Sequence, residues 1–179
     1  MKVAGLFAGI GGIELALERS GFETELLCEI APPARAVLDR RFPATAKHDD
    51  IRTLASLPSG VDVLTAGFPC QDLSQAGRTR GLAGKSSGLV SEIFRLLDRR
   101  ATKIVLLENV SFMLQLDGGR AIDTLVRAFE ERGYRWAYRV VNSLAFLPQR
   151  RERVYFVASR GDIDPGRVLF CDDAEPRFA

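Results

Sequence analysis

Gly67-Phe68-Pro69-Cys70-Gln71 sets a cysteine between a stiffening proline and a polar stretch, just after the apolar run Val61 to Ala66. A side chain that leaves a buried strand there reaches a cleft, so Cys70 has the setting of a nucleophile. Cys28, inside an apolar run, reads instead as a small buried hydrophobe. Glu108-Asn109-Val110 repeats the first pattern, with a carboxyl group leaving the run Lys103 to Leu107. Burial there would raise its pKa and let it donate a proton near neutral pH. Gln149-Arg150-Arg151-Glu152-Arg153 precedes Val154-Tyr155-Phe156-Val157. Strand alternation puts Arg151 and Arg153 on one face. Two guanidiniums there match a pyrimidine carbonyl oxygen or a phosphate, while a solvated charge run is the simpler reading of the same residues.

A second group of residues points to a bound ligand. Phe7-Ala8-Gly9-Ile10-Gly11-Gly12 follows the first apolar run, and its glycines let the backbone approach a ligand at a helix N-terminus. The Gly-x-Gly-Gly spacing departs from the dinucleotide pattern Gly-x-Gly-x-x-Gly, and a tight strand-to-helix turn would use the same residues. Glu29 follows Gly9 by 20 residues at the end of the second expected strand, where an acidic side chain accepts from ribose hydroxyls in this topology. Asp50 and Ile51 after the third strand would clamp an adenine, one by hydrogen bond and the other by apolar contact. Together they favour a nucleoside-containing cofactor over a merely structural turn.

The elements that must position these groups follow from periodicity. Short apolar runs alternate with amphipathic stretches, the pattern of a parallel sheet flanked by helices. Strands are expected at Val3 to Phe7, Leu26 to Glu29, a short segment ending near His48, Val61 to Ala66 and Lys103 to Leu107. Two more are expected at Trp136 to Val141 and Arg153 to Ala158. Helices are expected after Gly12, over Ala34 to Arg41 with Pro32 and Pro33 in the first turn, over Gly88 to Arg100, and over Ala121 to Arg132, stopped by Gly133. Gln71 to Ser87 is a long Gly-rich loop, a functional lid or a mobile segment. Its Arg78, Arg80 and Lys85 have no acidic residue between Asp72 and Glu92 to offset them. The loop is thus a local basic patch for a nucleic-acid backbone, or simply solvated.

Composition narrows the class. The 179 residues suit one globular domain, and 25 Lys+Arg against 23 Asp+Glu leave a charge of +2, too balanced for wholesale wrapping of a polyanion. Cys28, Cys70 and Cys171 are odd in number and widely spaced, and His48 is the single histidine. Neither a disulfide scaffold nor a metal centre is expected. No apolar run approaches the ~20 residues of a membrane span, and Met1-Lys2-Val3 leads straight into a strand-like segment, so a cytoplasmic setting is expected.

With these motifs in this order, the sequence closely resembles the cytosine-5 DNA methyltransferase family. Phe-Ala-Gly-Ile-Gly-Gly, Gly-Phe-Pro-Cys-Gln, Glu-Asn-Val and Gln-Arg-Arg-Glu-Arg carry the resemblance, which runs from Val3 to about Ser159. It implies an α/β, Rossmann-like S-adenosylmethionine-dependent methyltransferase fold, with a mostly parallel sheet and helices on both faces. Residues 1–160 would be the catalytic, cofactor-binding domain and 161–179 a polar tail. The implied substrate is a cytosine flipped out of double-stranded DNA. Cys70 would add to carbon 6 while Glu108 serves ring nitrogen 3. Arg151 would hold the carbonyl oxygen, with Arg153 supporting the pocket. Phe7, Ala8, Gly9, Gly11, Gly12, Glu29, Asp50, Ile51 and Pro69 would form the cofactor site, and Gln71, Ser74, Arg78 and Arg80 would meet DNA. No metal is implied.

Two positions depart from the family pattern. Ile30 stands where a large aromatic often stacks on adenine, and Ser87 where many relatives carry Arg. Full-length relatives continue into a target-recognition domain and a closing segment longer than Asp162 to Ala179. The chain is therefore expected to be a catalytic portion, truncated or one subunit of a split enzyme whose partner carries target recognition. A transfer-RNA cytosine-5 methyltransferase shares the chemistry, and a non-catalytic or partner-dependent fragment is a third reading. A nicotinamide-dependent oxidoreductase would leave Cys70, Glu108 and the arginine pair without coordinated roles.

Overall fold

The computed structural model describes residues 1–69 and 88–170. Seven strands form one sheet: β1 Lys2–Leu6, β2 Glu23–Cys28, β3 Ala46–His48, β4 Val61–Ala66, β5 Ile104–Val110, β6 Arg135–Asn142 and β7 Glu152–Ser159, in the order β3-β2-β1-β4-β5-β7-β6. The first five run parallel, and β7 is antiparallel to both β5 and β6. Strand order reverses between β1 and β4, where the loops at their carboxyl ends diverge and open a crevice.

Residues 3–6 of β1 and 63–66 of β4 are all buried because both faces of these strands are covered, and all but Thr65 are apolar or glycine. On one face lie α3 Leu89–Arg99 and α4 Arg120–Glu130. Val90, Ile93, Phe94 and Leu97 of α3 recur at helical spacing, as do Ala121, Leu125, Ala128 and Phe129 of α4, so each helix buries one stripe. Phe129 sits at the centre, with ring centroids 4.9 Å from Phe94 and 5.4 Å from Phe156. On the other face lie α1 Gly12–Arg19 and α2 Pro32–Arg41, where Leu38 and Phe42 pack on Leu27 of β2. Two prolines open α2, where their missing N–H groups cost nothing.

The expected α/β architecture is therefore present, with local differences at the ends of elements. The chain leaves β1 before Phe7, which has a left-handed backbone. β5 runs on to Val110, because Glu108, Asn109 and Val110 pair with Tyr155, Val154 and Arg153 of the antiparallel strand. Beyond residue 160 the polar tail contains a helical turn, α5 Pro165–Leu169, capped by Asp164 and tied to β6 where Arg139 donates to the Leu169 carbonyl at 3.2 Å.

Candidate functional site

The first wall of the crevice is the turn after β1. Phe7 (φ 52), Gly9 (φ 55) and Gly11 (φ 79) all take left-handed conformations, which glycine adopts freely and a bulky side chain only when its surroundings over-determine it. At Gly11 a Cβ would collide with Phe42 and lie 2.9 Å from Leu38, so the missing side chain lets α2 close against the turn. At Gly9 it would meet nothing within 4 Å, which leaves the turn open towards the crevice.

β2 runs from Glu23 to Cys28, earlier than the expected Leu26 to Glu29, and Glu29 just beyond its end clasps this turn. Its Oε2 accepts from the Gly9 N–H and its Oε1 from the Ala31 N–H, both at 2.8 Å. One carboxylate thus fixes the Gly-rich turn and the entry to α2 together, has lone pairs to spare, and lines the cavity. That cavity holds about 540 Å³, within the range of small-molecule sites. Phe7, Gly9, Glu29, Ile30, Asp50 and Ile51 line it, together with Gly67, Pro69 and Leu89. The walls are mostly apolar, with the carboxylates of Glu29, Asp49 and Asp50 among them, which fits an aromatic base joined to a hydroxylated sugar. Ile30 is 60% exposed at the edge, able to cover a base by apolar contact.

Some expected residues take other places. Ala8 packs with the Leu27, Leu38 and Phe42 cluster, while Gly11 and Gly12 form the back of the turn rather than the cavity wall. The Asp50 carboxylate, expected to meet an adenine, caps the turn Ile51–Thr53 by accepting from the Arg52 N–H at 3.0 Å. It is also gripped by the Arg52 guanidinium, and these contacts hold its pKa down at about 2. An adenine amino group would have to share that carboxylate with Arg52. Cys28 also lines the cavity, and burial, followed by the charges of Asp50, Glu29 and Asp49, pushes its thiol up to about 12. It is a neutral sulfur there, as its apolar context implied.

A second group gathers across Gly67. Glu108 and Val110 share one face of β5, and Arg153 stands opposite Val110 on β7, so the Glu108–Arg153 pair is a cross-strand diagonal. Arg153 Nε lies 2.9 Å from Glu108 Oε1, and Arg151 reaches the same oxygen at 3.8 Å from a more exposed position. Burial of Glu108 is thus partial, with its side chain 21% exposed and ion-paired. In place of the burial expected of it, Glu108 has a guanidinium beside it, because β5 continues alongside β7. A Cβ at Gly67 would lie 3.5 Å from Glu108 Oε2 and 3.7 Å from the Phe7 carbonyl, so this bare backbone alone separates the two groups. Cys70, Gln71, Ser74, Arg78, Arg80 and Lys85 lie outside the described residues.

The family model for C-5 cytosine-specific DNA methylases matches residues 1–170. The chain belongs to that family. It is 48% identical to the type II methyltransferase M2.BsuMI of Bacillus subtilis (strain 168), over 98% of this chain and 46% of that protein. It is 31% identical to the type II methyltransferase M.HhaI of Haemophilus parahaemolyticus, over 92% of this chain and 50% of that one. Among solved structures, the S. pombe Dnmt2 methyltransferase matches with a TM-score of 0.74 at 21% identity, over 99% of this chain and 57% of the other. That likeness concerns the fold. The chain spans about half the length of these curated relatives.

Within this member of the family, Asn109 has a role that its place in the Glu-Asn-Val motif did not reveal. It is 5% exposed, and its Nδ2 donates to the Phe68 carbonyl at 2.9 Å, tying β5 to the segment that leads into Cys70. Arg95 of α3 was also missed. It donates to the Ile51 and Leu54 carbonyls, both at 2.9 Å, and so holds the cavity wall from the helix that follows the Gly-rich loop. Among the described residues no group of three His, Cys, Asp or Glu could hold a metal ion, and no helix is long and apolar enough to cross a membrane.

Proposed function

We propose that this chain provides the cofactor-binding and catalytic half of a cytoplasmic DNA (cytosine-5-)-methyltransferase, which methylates carbon 5 of a cytosine flipped out of double-stranded DNA. One observation carries the reading: a nucleoside-sized cavity with the Glu29 carboxylate at its rim lies on one side of Gly67, and the Glu108–Arg153 pair on the other. S-adenosylmethionine fits the first side, and when bound it supplies an electrophilic methyl group. Glu29 would hold its ribose hydroxyls, and Phe7, Ile30 and Ile51 its adenine.

The chain's own groups do the rest. Carbon 5 of cytosine is a weak nucleophile, so Cys70 adds as thiolate to carbon 6 while Glu108 hydrogen-bonds or protonates nitrogen 3. The carbon 5–carbon 6 π electrons become an enamine, which makes carbon 5 nucleophilic. After methylation, loss of the carbon 5 proton restores the double bond and expels Cys70. Arg153 fixes the Glu108 carboxyl group, and Arg151, more exposed and 3.8 Å from it, is free to swing onto the cytosine carbonyl oxygen. Gln71, Ser74, Arg78 and Arg80 follow Cys70 closely enough in sequence to meet the DNA backbone.

Target recognition would come from a further domain or subunit. Phe112, Leu144, Phe146 and Leu147 stand exposed beyond the ends of β5 and β6, an apolar rim next to the arginine pair that such a partner would cover. The test is a denaturing gel of the full chain with S-adenosylmethionine and duplex DNA carrying 5-fluorocytosine. A covalent adduct lost in Cys70→Ala is expected; methyl transfer retained in that variant refutes the mechanism, and an adduct on RNA but not DNA refutes the substrate.

A further inference from the structure

Glu14 has no part in the mechanism above, yet it is among the most buried polar groups of the fold. It lies in the first turn of α1, two residues after the Gly-rich turn, and is 2% exposed. Its carboxyl group lies flat on Gly5 of β1: a Cβ there would collide with Oε1 and lie 2.8 Å from Cδ. The Thr65 hydroxyl of β4 donates to Oε1 at 2.5 Å and also lies 3.5 Å from the Ala4 carbonyl oxygen. Burial pushes this carboxyl group above its ordinary range, and Glu18 one turn further adds like charge in the same direction. A helix surface that only needed to pack on β1 would place an apolar side chain here, since a buried carboxyl group costs free energy that a leucine does not.

The placement explains the cost. Glu14 is joined by one turn of helix to Gly9 and Gly11, and Thr65 stands two residues before Gly67. The Glu14–Thr65 hydrogen bond therefore bridges the crevice from below, linking the element that carries its first wall to the strand that carries its second. We propose that Glu14 is a positioning residue that, through Thr65, sets the separation between the Gly9–Gly12 turn and the Gly67–Pro69 segment, and hence the width of the cofactor cleft. The inference rests on the proposal that this cleft takes S-adenosylmethionine.

The full chain and its variants Glu14→Gln, Glu14→Leu and Thr65→Val are titrated with S-adenosylhomocysteine by calorimetry, at a temperature where melting curves show each to be folded. Glu14→Gln keeps a carbonyl oxygen for Thr65, so its Kd should stay within about twofold of the parent chain. Glu14→Leu and Thr65→Val should each weaken binding about tenfold, the loss expected when one buried hydrogen bond no longer holds the walls in register. If Glu14→Leu does not fold, Thr65→Val, which keeps the shape of the residue, decides. Folded Thr65→Val or Glu14→Leu with the parent Kd, lowered only in melting temperature, overturns the inference and leaves the cofactor reading standing. Glu14→Gln as weak as Glu14→Leu overturns it as well, because the hydrogen bond would then not be the working contact. A parent chain that binds no S-adenosylhomocysteine overturns the cofactor reading and this inference together.

Discussion

Replacing Glu29 tests whether one carboxylate serves both the fold of the cleft and its ligand. Its two oxygens each accept a backbone N–H at 2.8 Å, from Gly9 and from Ala31, and the ribose hydroxyls of a bound nucleoside would use the lone pairs that remain. A hydrogen bond to a charged group is worth about 1.5–3 kcal/mol. Losing the ribose contact alone in Glu29→Ala should therefore weaken S-adenosylhomocysteine binding about ten- to a hundredfold. The isosteric Glu29→Gln is the sharper variant. A carboxamide has one acceptor oxygen and one NH2 donor, so one of the two backbone N–H groups would face another donor whichever way the amide turns. Calorimetric titration should thus find Glu29→Gln nearly as weak as Glu29→Ala. A Glu29→Gln chain that binds like the parent would refute the two-handed clasp, and a Glu29→Ala chain within about twofold would refute Glu29 as the ribose acceptor.

Glu14→Gln should also change how stability depends on pH. Burial raises the folded-state pKa of Glu14 above its unfolded value, so its contribution is complete below the ordinary carboxylate range and is lost as pH rises through the folded-state pKa. Each unit of that raising costs about 1.4 kcal/mol once both states are ionised. Urea denaturation should find Glu14→Gln progressively more stable than the parent chain as pH is raised from acid towards neutral; parallel curves would count against a buried, raised carboxyl group. Arg153→Ala releases the Glu108 carboxyl group and should lower 5-fluorocytosine adduct formation about a hundredfold, as for removal of a fixed charge-stabilising donor, with cofactor affinity unchanged. An unchanged adduct rate would remove Arg153 from the site. Asn109→Asp sets an acceptor against the Phe68 carbonyl in place of the 2.9 Å hydrogen bond and should cost about 1–3 kcal/mol in urea denaturation, a loss that Asn109→Gln does not fully repair. Equal stability of Asn109→Asp and the parent would mean that the tie carries no free energy.

Much of this fold was legible because its central strands are buried on both faces. Val61 to Ala66 reads as a strand from its run of apolar residues, and the structure bounds β4 at those same positions. Alternation likewise put Arg153 on a face with Arg151. What the local pattern does not contain is the partner strand. β5 continues through Glu108 and Asn109 because β7 supplies antiparallel hydrogen bonds there, and a polar pair at the end of an apolar run reads locally as an exit. Glu108 was therefore expected to be buried, whereas the diagonal register leaves it partly exposed beside a guanidinium. Asp50 was read only as a ligand contact. An aspartate just before a short turn is an N-cap in its own right, and that local bond takes its carboxylate before any ligand arrives. Glu14 was hidden because Ile13, Leu15, Ala16 and Leu17 surround it with apolar residues, and the space it occupies exists only because Gly5 is opposite.

The geometry around Gly67 links these parts. The sheet reverses its order between β1 and β4, so the turn after β1 and the segment after β4 part there; both border the nucleoside-sized cavity, and the second also approaches Glu108. Under the proposed function, a methyl donor in that cavity and a cytosine beside Glu108 would meet over this backbone, and a side chain there would occupy the contact. Gly67 leaves it bare, 3.5 Å from Glu108 and 3.7 Å from Phe7 as measured from where a Cβ would sit. The groups that hold this segment in place come from neighbouring elements: Asn109 of β5 through the Phe68 carbonyl, and Glu14 of α1 through Thr65 of β4. A small residue at the centre thus obliges its neighbours to supply the rigidity that its own side chain cannot. Buried polar groups appear at Glu14 and Asn109, where the sheet's order reverses and apolar packing alone would leave the spacing of the walls unspecified.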